Sequence, residues 1–245
     1  FDFDGELLAG SDVRIVDCGD VPGDVTNVHA GVERARATVA QILDRGAVPI
    51  VIGGTDSVPI PVARAYENHG PIVVIQIDEH LDFKDEVRGI REGYSSPMRR
   101  ISEMEWVTDI FQLGLHGMGS ALTSDVEEAL AVGHILITEK EIHAEGMQRV
   151  LDQIPDGADY LLTIDYDGFD VTCCPAVSHP EPGGLTYHEG ADLLTGLARK
   201  GRIVGMDWVE LVPEHDYFGL TARTTGRLIL TMINAMIRSD QYGDR

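Results

Sequence analysis

The sequence predicts an α/β protein, a three-layer α/β/α sandwich built on a mainly parallel sheet. Three observations carry this reading. Short apolar segments alternate along the chain with segments of helical periodicity. The apolar segments are near-continuous runs, as strands buried on both faces are. Their carboxyl ends run into Asp, His and Glu, and ligands of open parallel sheets bind beyond those ends.

The elements follow in order. "VHAGVERARATVAQILDRG" places apolar residues at helical spacing and stops at Gly46. "AVPIVIGG" is a strand entering a glycine turn. "VPIPVARAYENHG" is a short helix, because proline is tolerated in a first turn. "PIVVIQID", "DIFQLGLHG", "HILIT", "DYLLTIDYD" and "RIVGMDWVE" are five more strands. "EKEIHAEGMQRVLDQI" and "HEGADLLTGLARKG" are helical, and "TARTTGRLILTMINAMIRS" closes the chain as a helix. No repeat or linker interrupts the pattern, so one domain is expected over residues 1–245. The opening "FDFDGELLAGSD" holds no clear first element and does not begin with Met, so an N-terminal segment is expected to be missing.

Composition narrows the function. The chain has 245 residues, 43% of them hydrophobic, enough for a sizeable core. A net charge of −22 argues against nucleic acid and anionic membranes as partners. It fits a cationic small molecule or divalent metals; an acidic solvated surface, as in salt-tolerant organisms, fits equally. No apolar run approaches the ~20 residues of a membrane-spanning helix. No secretory signal is visible. Three cysteines without a CxxC spacing make a disulfide framework unexpected, and a reducing cytoplasm is the expected compartment.

Four strand ends carry the chemistry. The first, "GGTDS", supplies Asp56. The second, "IDEHLD", supplies Asp78, His80 and Asp82. The third, "TIDYDGFD", supplies Asp165, Asp167 and Asp170, and the fourth, "DWVE", supplies Glu210. A period of two puts Asp78, His80 and Asp82 on one side of an extended chain. Carboxylates and an imidazole converging on one pocket repel one another unless a cation compensates them. Two divalent metals would neutralise most of the charge, with Asp78 and Asp165, first in their motifs, as natural bridging ligands. Taken singly, a DxHxD or DxD is more often a solvated loop. Their conjunction at successive strand ends is what argues for metal.

These residues resemble the ureohydrolases, the family of arginase, agmatinase and guanidino-acid hydrolases, with agmatinase-like enzymes closest. "VDCGDV" looks like the family's DxGDV, "GAVPIVIGGTDS" its GGDHS segment and "IDEHLD" its DAHxD. "TIDYDGFD" looks like SxDxDxxDP, "PEPGGLT" like PEPGG(L/F)T, and "GMDWVELVPEHD" like GxDxVExxPxxD. The resemblance implies the arginase-like α/β/α fold and a binuclear cluster of two divalent ions, manganese first and nickel as an alternative. One metal would take Asp56, Asp78, Asp82 and Asp165; the other Asp78, His80, Asp165 and Asp167. It further implies a bridging hydroxide that attacks the guanidinium carbon of a small guanidino substrate, giving urea and an amine. Asp82 would accept its proton, and Glu210 would hold the guanidinium by its planar donor fork. Homo-oligomers, trimers or hexamers, are implied as well.

Three departures bear on this expectation. In "GGTDS" the family's Asp is Thr55 and its metal-binding His is Asp56, which adds negative charge to the cluster. Tyr94 in "GYSSPMRR" stands where agmatinase-like enzymes place a proton-shuttling His. A phenol with a pKa near ~10 is a poor shuttle at neutral pH. Tyr94 is then a candidate substrate contact, and His116 or His179 a candidate replacement; the bland reading of each histidine is an ordinary surface or core residue. In "FDVTCCPAVSHPEPGG" Val171 replaces a proline and His179 a small residue, in a loop that borders the substrate in the family.

The leading expectation is therefore a metal-dependent amidinohydrolase acting on a guanidine, such as agmatine, a guanidino acid or a small guanidine or biguanide. The rival is a degenerate subunit that pairs with an active homologue in a mixed oligomer, motivated by the two missing histidines. A deacetylase of related fold requires a His-His dyad, and the chain has none.

Overall fold

The computed structural model describes residues 13–23 and 27–242. The opening "FDFDGELLAGSD", read as holding no clear first element, lies outside the described residues. Six strands form one sheet: β1 (Ile50–Ile52), β2 (Ile72–Ile77), β3 (Val107–Leu115), β4 (Ile135–Thr138), β5 (Asp159–Asp165) and β6 (Arg202–Val209). Their order is β1-β6-β5-β2-β3-β4, and every pairing is parallel. The winding reverses at β2, with β3 and β4 to one side and β5, β6 and β1 to the other. Open parallel sheets place their ligands at such a switch point, and Asp78 leaves β2 there.

Alternation along the strands separates two cores. Val73, Ile75 and Ile77 face one side with Leu162 and Ile164, against α5 (Glu139–Glu145), α6 (Met147–Leu151), α7 (Tyr187–Lys200) and α8 (Leu220–Arg238). Ile72, Val74 and Leu161 face the other, against α1 (Val28–Leu43), α2 (Pro59–Arg64), α3 (Pro97–Ser102) and α4 (Thr123–Ala131). This is the α/β/α sandwich. Each buried aliphatic side chain contributes about 1.5–3 kcal/mol, so both faces of β2 are covered and its six residues are all buried.

Local chemistry sets the element ends. Asn27 caps α1 by accepting from the Ala30 amide at 3.1 Å. Thr138 with Glu141, and Thr186 with Glu189, close reciprocal capping boxes at the starts of α5 and α7. The expected helix over "EKEIHAEGMQRVLDQI" is two helices, because Gly146 between them sits at φ 82°, outside the helical region. The first strand is shorter than "AVPIVIGG" suggests: Gly53 and Gly54, both at positive φ, end it after Ile52. Helices α3 and α4 are additions to the sequence reading.

Candidate metal centre

Four loops at the carboxyl end of the sheet deliver the polar residues. Asp56 follows β1, Asp78 to Asp82 follow β2, Asp165 ends β5 and Glu210 follows β6. The strands β1, β6, β5 and β2 are consecutive in the sheet, so these loops are neighbours. Two backbone features bring them closer. A Cβ on Gly168 would lie 2.5 Å from the Asp78 amide nitrogen, so only glycine lets the β5 loop pass under Asp78. Gly184 of "PEPGG", at φ 84°, packs against Phe169 and Asp170 in the same way.

Two groups of potential ligands result, each with its ligating atoms within 4.8 Å of one another: Asp78, His80 and Asp167, and Asp56, Asp78 and Asp82. Asp78 belongs to both. It is fully buried, and its Oδ1 accepts from the His80 amide at 2.6 Å while its Oδ2 accepts from Gln76 Nε2 at 2.6 Å. His80 Nδ1 lies 3.4 Å from Asp78 and 3.3 Å from Asp167. Asp165 stands beside them, taking the Asp167 amide at 2.9 Å. Asp82 is held at φ 46° and Glu210 at φ 68°, uncommon values for side-chain-bearing residues. Glu210 Oε1 accepts from the Asp56 amide at 2.7 Å, tying the β6 loop to the β1 loop.

The electrostatics match. Burial raises the Asp56 carboxyl well above the ordinary range, and the neighbouring Asp82 and Asp78 raise it further. Asp78 and Asp165 are raised in the same way, by burial first and then by their carboxylate neighbours. Burial also raises Asp82 and Glu210. His80 shows the converse. Burial lowers it, but bonds to Asp167 and Asp78 outweigh that and carry it to about 11. Asp167, bonded to His80, is lowered despite its burial. Asp56 is 2% exposed, and among the described residues no donor reaches either of its oxygens. A buried carboxylate without a donor is costly unless a cation meets it. The residues present therefore fit divalent metal.

Above these groups lies a cavity of about 450 Å³. Asp56, His80, Asp82, Asp165, Asp167 and Glu210 line it, with Tyr94 and His179. Tyr94 is 61% exposed. His116 does not line this cavity. Its Nδ1 donates to the Gly114 carbonyl at 2.6 Å, and its Nε2 lies 3.8 Å from Glu79. "VDCGDV" runs as exposed irregular chain. The sequence reading passed over three further residues. Lys84 and Asp125 form an ion pair in the cavity wall. Glu79, whose side chain is 5% exposed, reaches within 3.6 Å of His80 Nε2. A carboxylate between Asp78 and His80 was the available signal for Glu79. Lys84 and Asp125 are 41 residues apart and carried none.

Fold and site together define an α/β/α protein with a carboxylate-rich candidate metal centre at a parallel-sheet switch point. The chain belongs to the arginase family, whose model matches residues 3–234. It is 30% identical over 228 residues to the mitochondrial agmatinase of Gallus gallus, covering 89% of this chain and 66% of that one. It is 25% identical over 227 residues to the guanidinobutyrase of Pseudomonas aeruginosa, covering 90% and 70%. The proclavaminate amidino hydrolase of Streptomyces clavuligerus shares the fold, with a TM-score of 0.81 and 23% identity over 91% of this chain and 76% of that one.

Proposed function

We propose that this protein is a metal-dependent amidinohydrolase that cleaves a guanidino compound to urea and an amine. The observation that most supports this is the pair of ligand groups sharing Asp78 beneath a cavity whose wall carries Glu210. In this reading Asp56, Asp78, Asp82 and Asp165 hold one divalent cation, and Asp78, His80, Asp165 and Asp167 a second. Carboxylate oxygens with one imidazole suit manganese and admit nickel. Bound cations would supply Lewis acidity and activate water for attack on the guanidinium carbon.

The chain's own side chains do the rest. Glu210 faces the cavity with a carboxylate that matches the guanidinium fork, and its bond to the Asp56 amide fixes its direction. Asp82, beside Asp56, accepts the first proton that water gives up. One C–N bond breaks, that proton passes to the leaving nitrogen, and the second proton of the water follows it as the carbonyl of urea forms, so the amine leaves as its ammonium. Tyr94 and His179 line the cavity and contact the remainder of the substrate. His116 stands outside the cavity wall, so a proton reaches it only through another group. The reading includes a homo-oligomer, a trimer or hexamer, and a cytoplasmic setting in keeping with three free cysteines. Among the described residues no helix is long and apolar enough to cross a membrane.

The test is urea release by manganese-loaded protein from agmatine, 4-guanidinobutanoate, arginine, guanidine and a biguanide. Urea from at least one, lost in Asp78→Asn, is the expected result. Silence across the panel would sink the reading and favour a non-catalytic subunit paired with a homologue.

A further inference from the structure

A row of buried polar side chains runs away from the metal centre through the sheet. Gln76 on β2 and Gln112 on β3 are register partners in the parallel pair. They are 1% and 0% exposed, in strands that are otherwise apolar there. Gln76 Nε2 donates to Asp78 Oδ2 at 2.6 Å, and Gln112 Nε2 donates to Gln76 Oε1 at 2.6 Å and to the Leu81 carbonyl at 2.7 Å. Gln112 Oε1 meets His134 Nδ1 at 2.8 Å. His134 immediately precedes β4, is 5% exposed and has the Phe83 ring edge-on at 4.9 Å.

The direction of every bond in this row follows from one group. The Leu81 carbonyl can only accept, so Gln112 must present its nitrogen there. The two hydrogens of that nitrogen are then used, one on Leu81 and one on Gln76. Gln112 Oε1 is left as an acceptor, so His134 must carry its proton on Nδ1. Gln76 in turn accepts with its oxygen and turns its nitrogen to Asp78. No member can flip without setting two acceptors or two donors face to face in a buried site. Burial alone holds His134 neutral, with a pKa of about 4, in keeping with a single proton on Nδ1.

We infer that His134, Gln112 and Gln76 form one positioning chain that orients the Asp78 carboxylate and the Leu81 segment between the ligands His80 and Asp82. Asp78 is the residue common to both ligand groups. Gln76 holds one of its oxygens and the His80 amide the other, so its plane is set from both sides. The hydrogen bond to the Leu81 carbonyl ties the same chain to the loop that carries His80 and Asp82. Buried hydrogen-bond networks rigidify what they touch, and partners of metal ligands tune metal affinity; His134 Nε2, at the far end of the chain, has no partner among the described residues. The effect on metal rests on the proposed metal centre; the bonding pattern does not.

Two measurements test this. The first is the histidine side-chain ¹⁵N spectrum of the metal-free protein between pH 6 and 8. His134 is expected as the neutral Nδ1–H tautomer. An Nε2–H tautomer or an imidazolium there overturns the chain, whatever the protein does with metal. The second titrates metal-free protein with Mn²⁺, reading free Mn²⁺ by electron paramagnetic resonance, with folding of each variant checked by circular dichroism. Gln76→Leu and His134→Leu are each expected to weaken binding about 10- to 100-fold. His134→Asn keeps a donor for Gln112 and is expected to recover most of the loss. Wild-type affinity in His134→Leu, or no recovery in His134→Asn, overturns the positioning role. If His134→Leu does not fold, His134→Asn against wild type decides, a loss as large as that of Gln76→Leu counting against the proposal. If wild type binds no Mn²⁺, the metal-centre reading fails, and the tautomer alone decides whether the chain stands.

Discussion

The two ligand groups that share Asp78 differ in how their charge is met. In Asp78, His80 and Asp167 the imidazole lies 3.3–3.4 Å from both carboxylates, and all three find partners within the protein. In Asp56, Asp78 and Asp82 there are two buried carboxylates and a partly buried one, no member is a cation, and among the described residues no donor reaches the Asp56 oxygens. The first group is an ion-paired triad that can stand without metal. The second stays charged only if an external cation compensates it; otherwise it takes up protons. In the proposed reading, a carboxylate at Asp56 in place of the imidazole that the resemblance implies makes that group the more dependent on metal.

The largest effect comes from removing the residue the groups share. Asp78→Asn is expected to lose both metals by plasma mass spectrometry. Urea release should fall about a thousandfold or more, since metal ions supply several kcal/mol to such transition states. Asp56→Ala, by contrast, should lose about one of two metals and leave the His80 group loaded; equal loss of both would erase the distinction between the groups.

A buried carboxylate away from the site sharpens the comparison. Asp207 on β6 is fully buried, accepts from Thr163 at 2.9 Å through one oxygen, and has no partner for the other among the described residues. Burial raises it to about 7. Its folded pKa thus exceeds its unfolded one near ~3.9. The stability it contributes is complete below about pH 4 and is lost as pH rises toward 7, on the order of 4 kcal/mol in total. Thermal unfolding of Asp207→Asn should lack this fall, and the variant should exceed wild type in stability above pH 7. An unchanged pH slope would mean that Asp207 finds a compensating charge, as the Asp56 group is proposed to do.

Metal removal should have a smaller effect. Ion at one hundred times its Kd stabilises a protein by about 2.7 kcal/mol. At about 2–4 °C per kcal/mol for a chain of this size, a chelator should lower Tm by roughly 5–10 °C. The drop should shrink in Asp56→Asn, which removes the uncompensated charge. The smallest effect belongs to the rim. His179→Ala should raise KM less than about tenfold, or 1.4 kcal/mol, with kcat held, as expected for a residue that contacts substrate but not the reacting bond. A fall in kcat alone would move His179 into the proton path.

Much of this was legible in the chain itself, and the reason is period. Runs such as "VVIQID" and "YLLTID" are apolar on both faces, which only a covered parallel strand tolerates. Period two pairs Asp78 with His80, but the strand ends at Ile77 and the chain bends at Glu79 and His80, so the bond from the His80 amide to Asp78 Oδ1 brings them together rather than strand alternation. Strands β2 and β3 carried the signal for the buried chain, a glutamine in each of "VVIQID" and "IFQLGL", whose partners could not be read because hydrogen bonds across strands depend on register. Spacing also could not tell a histidine beside the cavity from one behind it. His116 and His179 stand in similar turns of sequence, but His116 turns inward against Glu79 and Gly114 while His179 opens onto the cavity.

The layer architecture and the residue types gathered at the strand ends are written in the chain, because both follow from local periodicity and strand polarity. Which carboxylates lie close enough to share an ion was left to the packing of the strands. The order β1-β6-β5-β2 brings Asp56 and Glu210 within 2.7 Å across 154 residues of chain. No local pattern encodes that contact, because it is set by which strands lie side by side in the sheet.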